Sequence, residues 1–123
     1  MNYSDVARRY FEAAPNAGEL AGPGVFRGAA GKQDQGTWVQ FDLQMRSGSV
    51  LAARFLAFGC PHTIAVSAWV AEQSQGRQLH RRLPENVQQL RERFDVPVDK
   101  MGRLLIIEDA WLAAATAAVD YRD

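Results

Sequence analysis

Hydrophobic and polar residues alternate most regularly in the segment TWVQFDLQM, residues 37–45. Its odd-numbered positions are mostly apolar and its even-numbered positions are mostly polar, which predicts a β-strand with one buried face. The turn sequence RSGS follows this segment, and a second apolar run extends over residues 50–58. Two such runs separated by a turn predict an antiparallel pair of strands.

The remaining apolar residues recur at helical spacing in four segments. In the first segment, Ser4 is the predicted N-cap and Pro15 stops the helix. Pro61 suits the first position of the second helix, where a missing N–H group costs nothing. The predicted helices span residues 4–14, from Pro61 to about Gly76, from Pro84 to about Phe94, and from Arg103 to about Asp120.

Glycine, alanine and proline are frequent in residues 16–36, which hold six of the ten glycines of the chain. This composition predicts a loosely packed segment with a short edge strand around residues 25–27. The elements thus follow one another as helix, strands and helices. That order predicts a single α+β domain over residues 1–123, with a small antiparallel three-stranded sheet and helices packed on one face. The N-terminal helix comes first, and the other helices lie in the C-terminal half.

The charge balance argues against two classes of partner. The 123 residues include 14 Lys and Arg and 14 Asp and Glu, so the chain has no net charge. Because basic surfaces bind nucleic acids and anionic membranes, we expect neither as a partner. The sequence has no apolar run long enough to span a bilayer, no signal-peptide pattern, and only one cysteine, which excludes an internal disulfide. These features predict a cytoplasmic protein.

The single cysteine, Cys60, lies between the second predicted strand and the second predicted helix, in FLAFGCPHTIAVSAWV. A helix N-terminus favours a thiolate, because the first backbone N–H groups there have no helical partner. The structural alternative is a small buried residue that fills a strand–helix corner, and local features favour it modestly.

Cys60 and His62 are also a candidate pair of metal ligands. A closed structural site needs about four ligands, however, and His80 is the only other histidine. A solvated histidine at the helix start is therefore the simpler interpretation of His62. The sequence shows no acid–base pair and no nucleophile–base arrangement, and we expect no enzymatic activity.

Four segments resemble those of a known family and occur in the same order. YSDVARRYFEAAPNAGEL (residues 3–20) is similar to its N-terminal segment, and residues 36–43 fall where the family has a strand. ARFLAFGCPHTIAVSAWVAE (residues 53–72) is similar to its strongest signature, a strand ending in Phe-Gly-Cys before a small-residue helix. EDAWLAAATAAVDY (residues 108–121) is similar to its closing helix. The chain thus resembles the U-type iron–sulfur cluster scaffolds of the IscU/NifU type.

The resemblance implies a protein on which an iron–sulfur cluster is assembled transiently. It implies two kinds of partner, a cysteine desulfurase that supplies sulfur and a chaperone pair that helps to pass the cluster on. The family's ligands are three cysteines with an assisting aspartate or histidine. Cys60 matches the middle cysteine, whereas the other positions fall at or near Gln35, Thr37, Gly102 and Arg103. Because a cluster is held by about four ligands, mostly cysteine thiolates, we do not expect this chain to hold one conventionally.

The sequence leaves three hypotheses open. In the first, the protein is a ligand-depleted scaffold that binds a desulfurase or accepts sulfur on Cys60. In the second, it is a true iron or cluster scaffold that shares ligands such as Cys60 and His62 across a dimer. In the third, it is a binding module unrelated to clusters that reuses the fold. The family's chaperone-recognition segment is only partly matched by VPVDK, residues 96–100, and the oligomeric state is open.

Overall fold

In the computed structural model, which describes residues 3–119, helices cover one face of a three-stranded antiparallel sheet. This confirms the predicted α+β fold with the N-terminal helix first. The strands lie in the order β1–β2–β3, so that each strand pairs with the next one along the chain. The described elements are helix α1 (Asp5–Ala13), strands β1 (Val25–Lys32), β2 (Thr37–Arg46) and β3 (Ser49–Phe58), and helices α2 (Pro61–Ser74), α3 (Val87–Phe94) and α4 (Met101–Val119).

Strand β1 is longer than the sequence predicts. It pairs with β2 over all eight of its residues instead of forming a short piece at residues 25–27. A Cβ atom at Gly28 would lie only 2.0 Å from the backbone nitrogen of Ala114, so the missing side chain lets α4 pack directly on this strand. The prediction of loose packing is wrong for this part of the chain, because Gly28 serves a helix contact that is distant in sequence.

The helix boundaries follow from their caps. In α1, the hydroxyl of Ser4 accepts a backbone N–H of the first turn, as expected of the predicted N-cap. Helix α3 begins just after Asn86 rather than at Pro84, because Asn86 and Gln89 form a reciprocal capping box. Helix α4 begins slightly earlier than predicted, and its predicted last residue, Asp120, lies outside the described residues. Among the helices of residues 3–119, none is long and apolar enough to cross a membrane.

The core lies between the sheet and helices α2 and α4. The Phe41 ring on β2 meets the Trp111 ring on α4 edge to face, with 5.3 Å between the ring centroids. The Trp111 indole N–H donates to the carbonyl oxygen of His80 at 2.9 Å, so the polar atom of this buried ring is satisfied. Trp69 of α2 makes a similar edge-to-face contact with Phe94 of α3. These aromatic contacts hold the helices in place over the sheet.

The segment after α1 runs from the free edge of β3 onto the other face of the sheet. Residues 16–18 pair with that edge: the Phe55 N–H donates to the Asn16 carbonyl oxygen at 3.0 Å, and the Gly18 N–H donates to the Phe55 carbonyl oxygen at 2.9 Å. Farther along, the Leu20 N–H donates to the Asp42 carboxylate on β2, and Arg27 on β1 donates to the same carboxylate at 2.7 and 2.8 Å. Burial opposes ionisation of Asp42, but these donors outweigh it and lower the pKa of the carboxyl group. Asp42 is therefore an ionised structural group that holds this segment on the sheet.

Candidate functional site

The junction between strand β3 and helix α2 positions the single thiol. β3 ends at Phe58 and α2 begins at Pro61, so Cys60 is the N-cap residue of a 14-residue helix. Pro61 occupies the first helical turn, as predicted. The Cys60 side chain is half-buried, and its Sγ atom lies 3.5 Å from the hydroxyl oxygen of Thr63. The thiol is thus held at a helix N-terminus and remains reachable from solvent.

Thr63 is a site residue that its spacing could have revealed. A hydroxyl three residues after an N-cap residue is at the position that faces the cap. The Thr63 side chain is fully buried, and a Cβ atom at Gly59 would lie 2.9 Å from its hydroxyl oxygen. The chain therefore turns closely over Thr63 just before Cys60, which keeps the thiol and the hydroxyl together.

The surroundings of Cys60 favour the thiolate. Burial of the sulfur works against ionisation. It is outweighed by hydrogen bonds from the hydroxyl and backbone N–H of Thr63, by the positive charge of Arg103, and by the backbone N–H of His62. Together they make the pKa of the Cys60 thiol lower than that of an ordinary cysteine, in agreement with the effect expected at a helix N-terminus.

His62 is buried, and the expectation of a solvated histidine is wrong. The residue is only 2% exposed, and its ring meets the Tyr3 ring edge to face with 4.7 Å between centroids. Neither ring nitrogen has a hydrogen-bond partner within residues 3–119. Burial lowers the pKa of His62, and the positive charges of Lys100 and Arg103 add to this effect, while Asp95 opposes it without outweighing it. The helix start is covered because the N-terminal segment and the segment before α4 both pack near it.

Two of the positions that are predicted to match lost family ligands, Gln35 and Thr37, lie at the same end of the sheet as Cys60. Gln35 is exposed in the 3-10 turn between β1 and β2, and Thr37 is the first residue of β2 and is buried. The start of β2 runs beside the end of β3, because Trp38 pairs with Phe58. Since Cys60 follows Phe58 closely, the turn that carries Gln35 and the thiol occupy the same region of the molecule.

Arg103 brings the start of helix α4 to this region. Gly102 and Arg103 both lie in the first turn of α4, and the charge of Arg103 acts on Cys60 as well as on His62. The Arg103 Nη1 atom is shielded from solvent and has no hydrogen-bond partner among the described residues. An arginine beside a thiolate stabilises the negative charge and disfavours the approach of a metal cation.

The segment that partly matches the family's chaperone-recognition motif leads into α4. Val96 is buried, whereas Val98 is 71% exposed in the 3-10 turn Val98–Lys100. The segment thus presents the apolar side chains of Pro97 and Val98 to solvent just before α4. Its role in partner recognition stays a prediction.

The residues around Cys60 do not fit an iron–sulfur cluster. In the part of the chain that the structure describes, no three His, Cys, Asp or Glu side chains are grouped so that they could hold a metal ion. Cys60 and His62 offer at most two ligands, whereas a cluster is held by about four. Within residues 3–119, the surroundings of Cys60 therefore provide fewer ligands than a cluster needs.

A separate cleft, with a volume of about 380 Å³, lies near Val50, at the end of β3 opposite to Cys60. Its lining combines basic and apolar side chains, including Arg77, His80, Arg82, Leu83 and Trp111. Cys60 does not line this cleft. The hypothesis of a binding module unrelated to clusters points to this cleft or to a second one of about 700 Å³, which is lined by residues that include Phe26, Met45 and Leu79.

Comparison with known proteins decides the family. A family model described as "NifU-like N terminal domain" matches residues 2–123. The chain belongs to this family. The iron–sulfur cluster assembly protein IscU of Plasmodium falciparum is similar to this NifU-like chain, with 27% identity over 111 residues that cover 89% of this chain and 68% of that protein.

Two solved structures share the fold of the NifU-like chain. A nitrogen-fixing NifU-like protein (N-terminal) from Brucella abortus superposes with a TM-score of 0.75 at 17% identity, covering 97% of this chain and 95% of that one. A protein from Fervidobacterium islandicum described as an iron–sulfur cluster assembly scaffold for the SUF system superposes with a TM-score of 0.70 at 15% identity, covering 94% and 96%. At these identities the structural matches show the fold alone.

Family membership confirms the resemblance that the four sequence segments indicate. The signature in residues 53–72 folds as the predicted strand and helix on either side of Cys60. The match of Gln35, Thr37, Gly102 and Arg103 to lost ligands stays a prediction, as do the partners.

The lowered pKa of Cys60 predicts a shifted pH dependence of alkylation. We expect the rate of reaction with iodoacetamide to stay at its plateau to a lower pH in the folded protein than in the urea-unfolded chain, and to fall only as the pH drops through the lowered pKa. Removing the positive charge with Arg103→Ala should move the midpoint upward. Mass spectrometry of the alkylated protein measures the rate of reaction at Cys60 as a function of pH for the folded and the unfolded chain. Coincident midpoints for the folded and unfolded chains would contradict the thiolate assignment.

Proposed function

We propose that this NifU-like protein serves iron–sulfur cluster assembly as a sulfur acceptor on Cys60 and does not hold a cluster by itself. The observation that carries the proposal is the thiol: a half-buried sulfur at the start of α2, favoured as thiolate and influenced by Arg103. The family supports the setting, since the related Plasmodium falciparum protein is named an iron–sulfur cluster assembly protein. Such an acceptor works stoichiometrically and is not an enzyme.

The chemistry needs only a nucleophilic thiolate that a donor can reach. The Cys60 thiolate attacks the outer sulfur of a persulfide on the donor protein, and a new sulfur–sulfur bond forms at Cys60. The bond inside the donor persulfide breaks, and the donor sulfur leaves as a thiolate. One sulfur atom moves, the total charge is unchanged, and no oxidant is consumed. The partner that presents such a persulfide is a cysteine desulfurase.

The surroundings of the thiol suit this reaction better than they suit metal binding. The persulfide product carries negative charge at the same place as the thiolate, where Arg103 and the α2 N-terminus stabilise it. A metal ion would meet the positive charges of Lys100 and Arg103, which already disfavour protonation of His62. In this proposal, the residues that stand in place of the family's cluster ligands make the site suited to accepting sulfur and poorly suited to binding a metal ion.

Incubation with a cysteine desulfurase and cysteine tests the proposal. We expect the intact mass of the chain to increase by sulfur, and Cys60→Ser to abolish the increase. Because Cys60 is the only cysteine, any persulfide on the chain must be at this residue. Treatment with dithiothreitol should restore the original mass, since it reduces a persulfide.

The matched control is Ser67→Cys in the Cys60→Ser background, which places a thiol on the same helix at a buried position. This chain should stay unmodified, because its thiol is buried. An unchanged mass of the natural chain, together with the lack of a complex with the desulfurase on gel filtration, would contradict the proposal.

A further inference from the structure

Two side chains near the start of α2, Arg103 and His62, have buried nitrogen atoms with no hydrogen-bond partner among residues 3–119. The Nη1 atom of Arg103 is shielded from solvent and makes no hydrogen bond within residues 3–119. His62 is 2% exposed, and both of its ring nitrogens are likewise unpartnered among these residues. Buried donors without acceptors are rare and costly in folded proteins. Because Arg103 acts on the half-buried Cys60 thiol and His62 lies in the first turn of the helix that Cys60 caps, these atoms indicate that a ligand with acceptor atoms completes this site.

The charges around the thiol indicate that the ligand is negatively charged. Arg103 acts on both Cys60 and His62, and Lys100 adds positive charge on the side of His62. Backbone N–H groups at the start of α2 point to the Cys60 sulfur. Asp95 is the one acidic residue that acts on His62 among the described groups. Donors and positive charge together favour an anion with several oxygen acceptors.

We propose that the Cys60 site takes a small anionic sulfane-sulfur donor of the thiosulfonate class, with thiosulfate as the simplest member. In this assignment Cys60 attacks the sulfane sulfur, and the Arg103 guanidinium and the neutral His62 ring donate to the sulfonate oxygens. The proposal rests on the proposed function, in which Cys60 is a sulfur acceptor, and adds a small molecule as a source of the sulfur. A compact anion needs only the approach to a half-buried thiol and no docking surface.

The transfer balances without a co-reactant. The Cys60 thiolate forms a bond to the sulfane sulfur of thiosulfate, and the bond between the two thiosulfate sulfurs breaks. The electron pair of that bond leaves with sulfite, and Cys60 carries a persulfide anion. Three negative charges enter the step and three leave it. Two anions must meet for this reaction, and the positive charge of Arg103 offsets their repulsion.

The experiment compares an anionic with a neutral reagent on the same thiol. Thiosulfate is added to the natural chain, and sulfite release and the sulfur adduct on Cys60 are followed with time. Iodoacetamide, which is neutral, is used in parallel to report the amount of reactive thiolate. We expect Arg103→Ala to slow the thiosulfate reaction by about tenfold more than it slows alkylation, because a charge-assisted contact to the anion is lost.

Four controls separate binding of the anion from an effect on folding or on the thiol. Arg103→Lys should retain more of the thiosulfate rate than Arg103→Ala, since it keeps the charge. Arg77→Ala, an exposed arginine near the opposite cleft, should change neither rate. Sulfate should inhibit the reaction with thiosulfate and leave alkylation unchanged. Cys60→Ser should release no sulfite.

The outcomes distinguish this inference from the proposed function. Loading by a desulfurase without any reaction with thiosulfate overturns the inference and leaves the proposed function standing. If neither donor loads Cys60, both are overturned. If Arg103→Ala slows both reagents equally, the residue sets only the ionisation of the thiol, and the assignment of an anion site is wrong.

Discussion

Restoring the family's ligand types at three positions is expected to let this chain hold an iron–sulfur cluster. The variant combines Gln35→Cys, Thr37→Asp and Arg103→Cys with the natural Cys60. It supplies three thiolates and an assisting carboxylate, close to the number of ligands that a cluster needs. The start of β2 lies at the same end of the sheet as Cys60, and Arg103 already acts on the thiol. Replacing Arg103 also removes a positive charge that disfavours iron.

Anaerobic reconstitution with iron and sulfide tests whether the triple variant binds a cluster. We expect stoichiometric iron and sulfide and visible absorption in the triple variant, and neither in the natural chain. Adding Cys60→Ser to the triple variant should remove the cluster again, since it removes the middle ligand. A folded but colourless triple variant would contradict the assignment of Gln35, Thr37 and Arg103. A stoichiometric cluster in the natural chain would instead support ligands shared across a dimer.

The second large effect is expected from Gly28→Ala, which should destabilise the protein by about 3 kcal/mol or more. The added Cβ would lie 2.0 Å from the Ala114 nitrogen and 2.5 Å from the Ala113 carbonyl carbon. Because both are backbone atoms, no side-chain rotation relieves the overlap, and helix α4 must move away from β1. Urea unfolding followed by circular dichroism measures the loss of free energy of unfolding.

Gly102→Ala is the matched control for this substitution. It adds the same methyl group to helix α4, in its first turn, where the new Cβ would meet nothing within 4 Å. The backbone there is helical, and alanine reduces the conformational entropy of the unfolded chain. The substitution should therefore stabilise the protein by about 0.5 kcal/mol. Equal effects of the two substitutions would show that α4 does not approach β1 as closely as the structure places it.

The parts of the fold that depend on short segments could be predicted. Strand β2 was predicted because its alternation of apolar and polar residues is regular, and the start of α2 because Pro61 suits a first turn. Strand β1 was predicted too short, since glycine has a low strand propensity and its benefit at Gly28 comes from a helix far along the chain.

The candidate site could be predicted only in part for the same reason. The position of Cys60 at a helix N-terminus follows from local sequence, and its match to a family signature follows from the neighbouring residues. The burial of His62 could not be predicted, because it depends on Tyr3 and on the segment before α4, which are remote in sequence.

The sequence by itself determined the order of the elements, the family resemblance and the placement of one thiol at the start of a helix. These properties depend on spacing, caps and motifs within short stretches of chain. Only the tertiary structure decided that His62 is buried with no hydrogen-bond partner for its ring nitrogens within residues 3–119, and that the Nη1 atom of Arg103, whose charge acts on Cys60, also has no partner there. The burial of His62 depends on Tyr3, and the position of Arg103 depends on how α4 packs on the sheet across Gly28, so contacts remote in sequence set the electrostatic surroundings of the thiol.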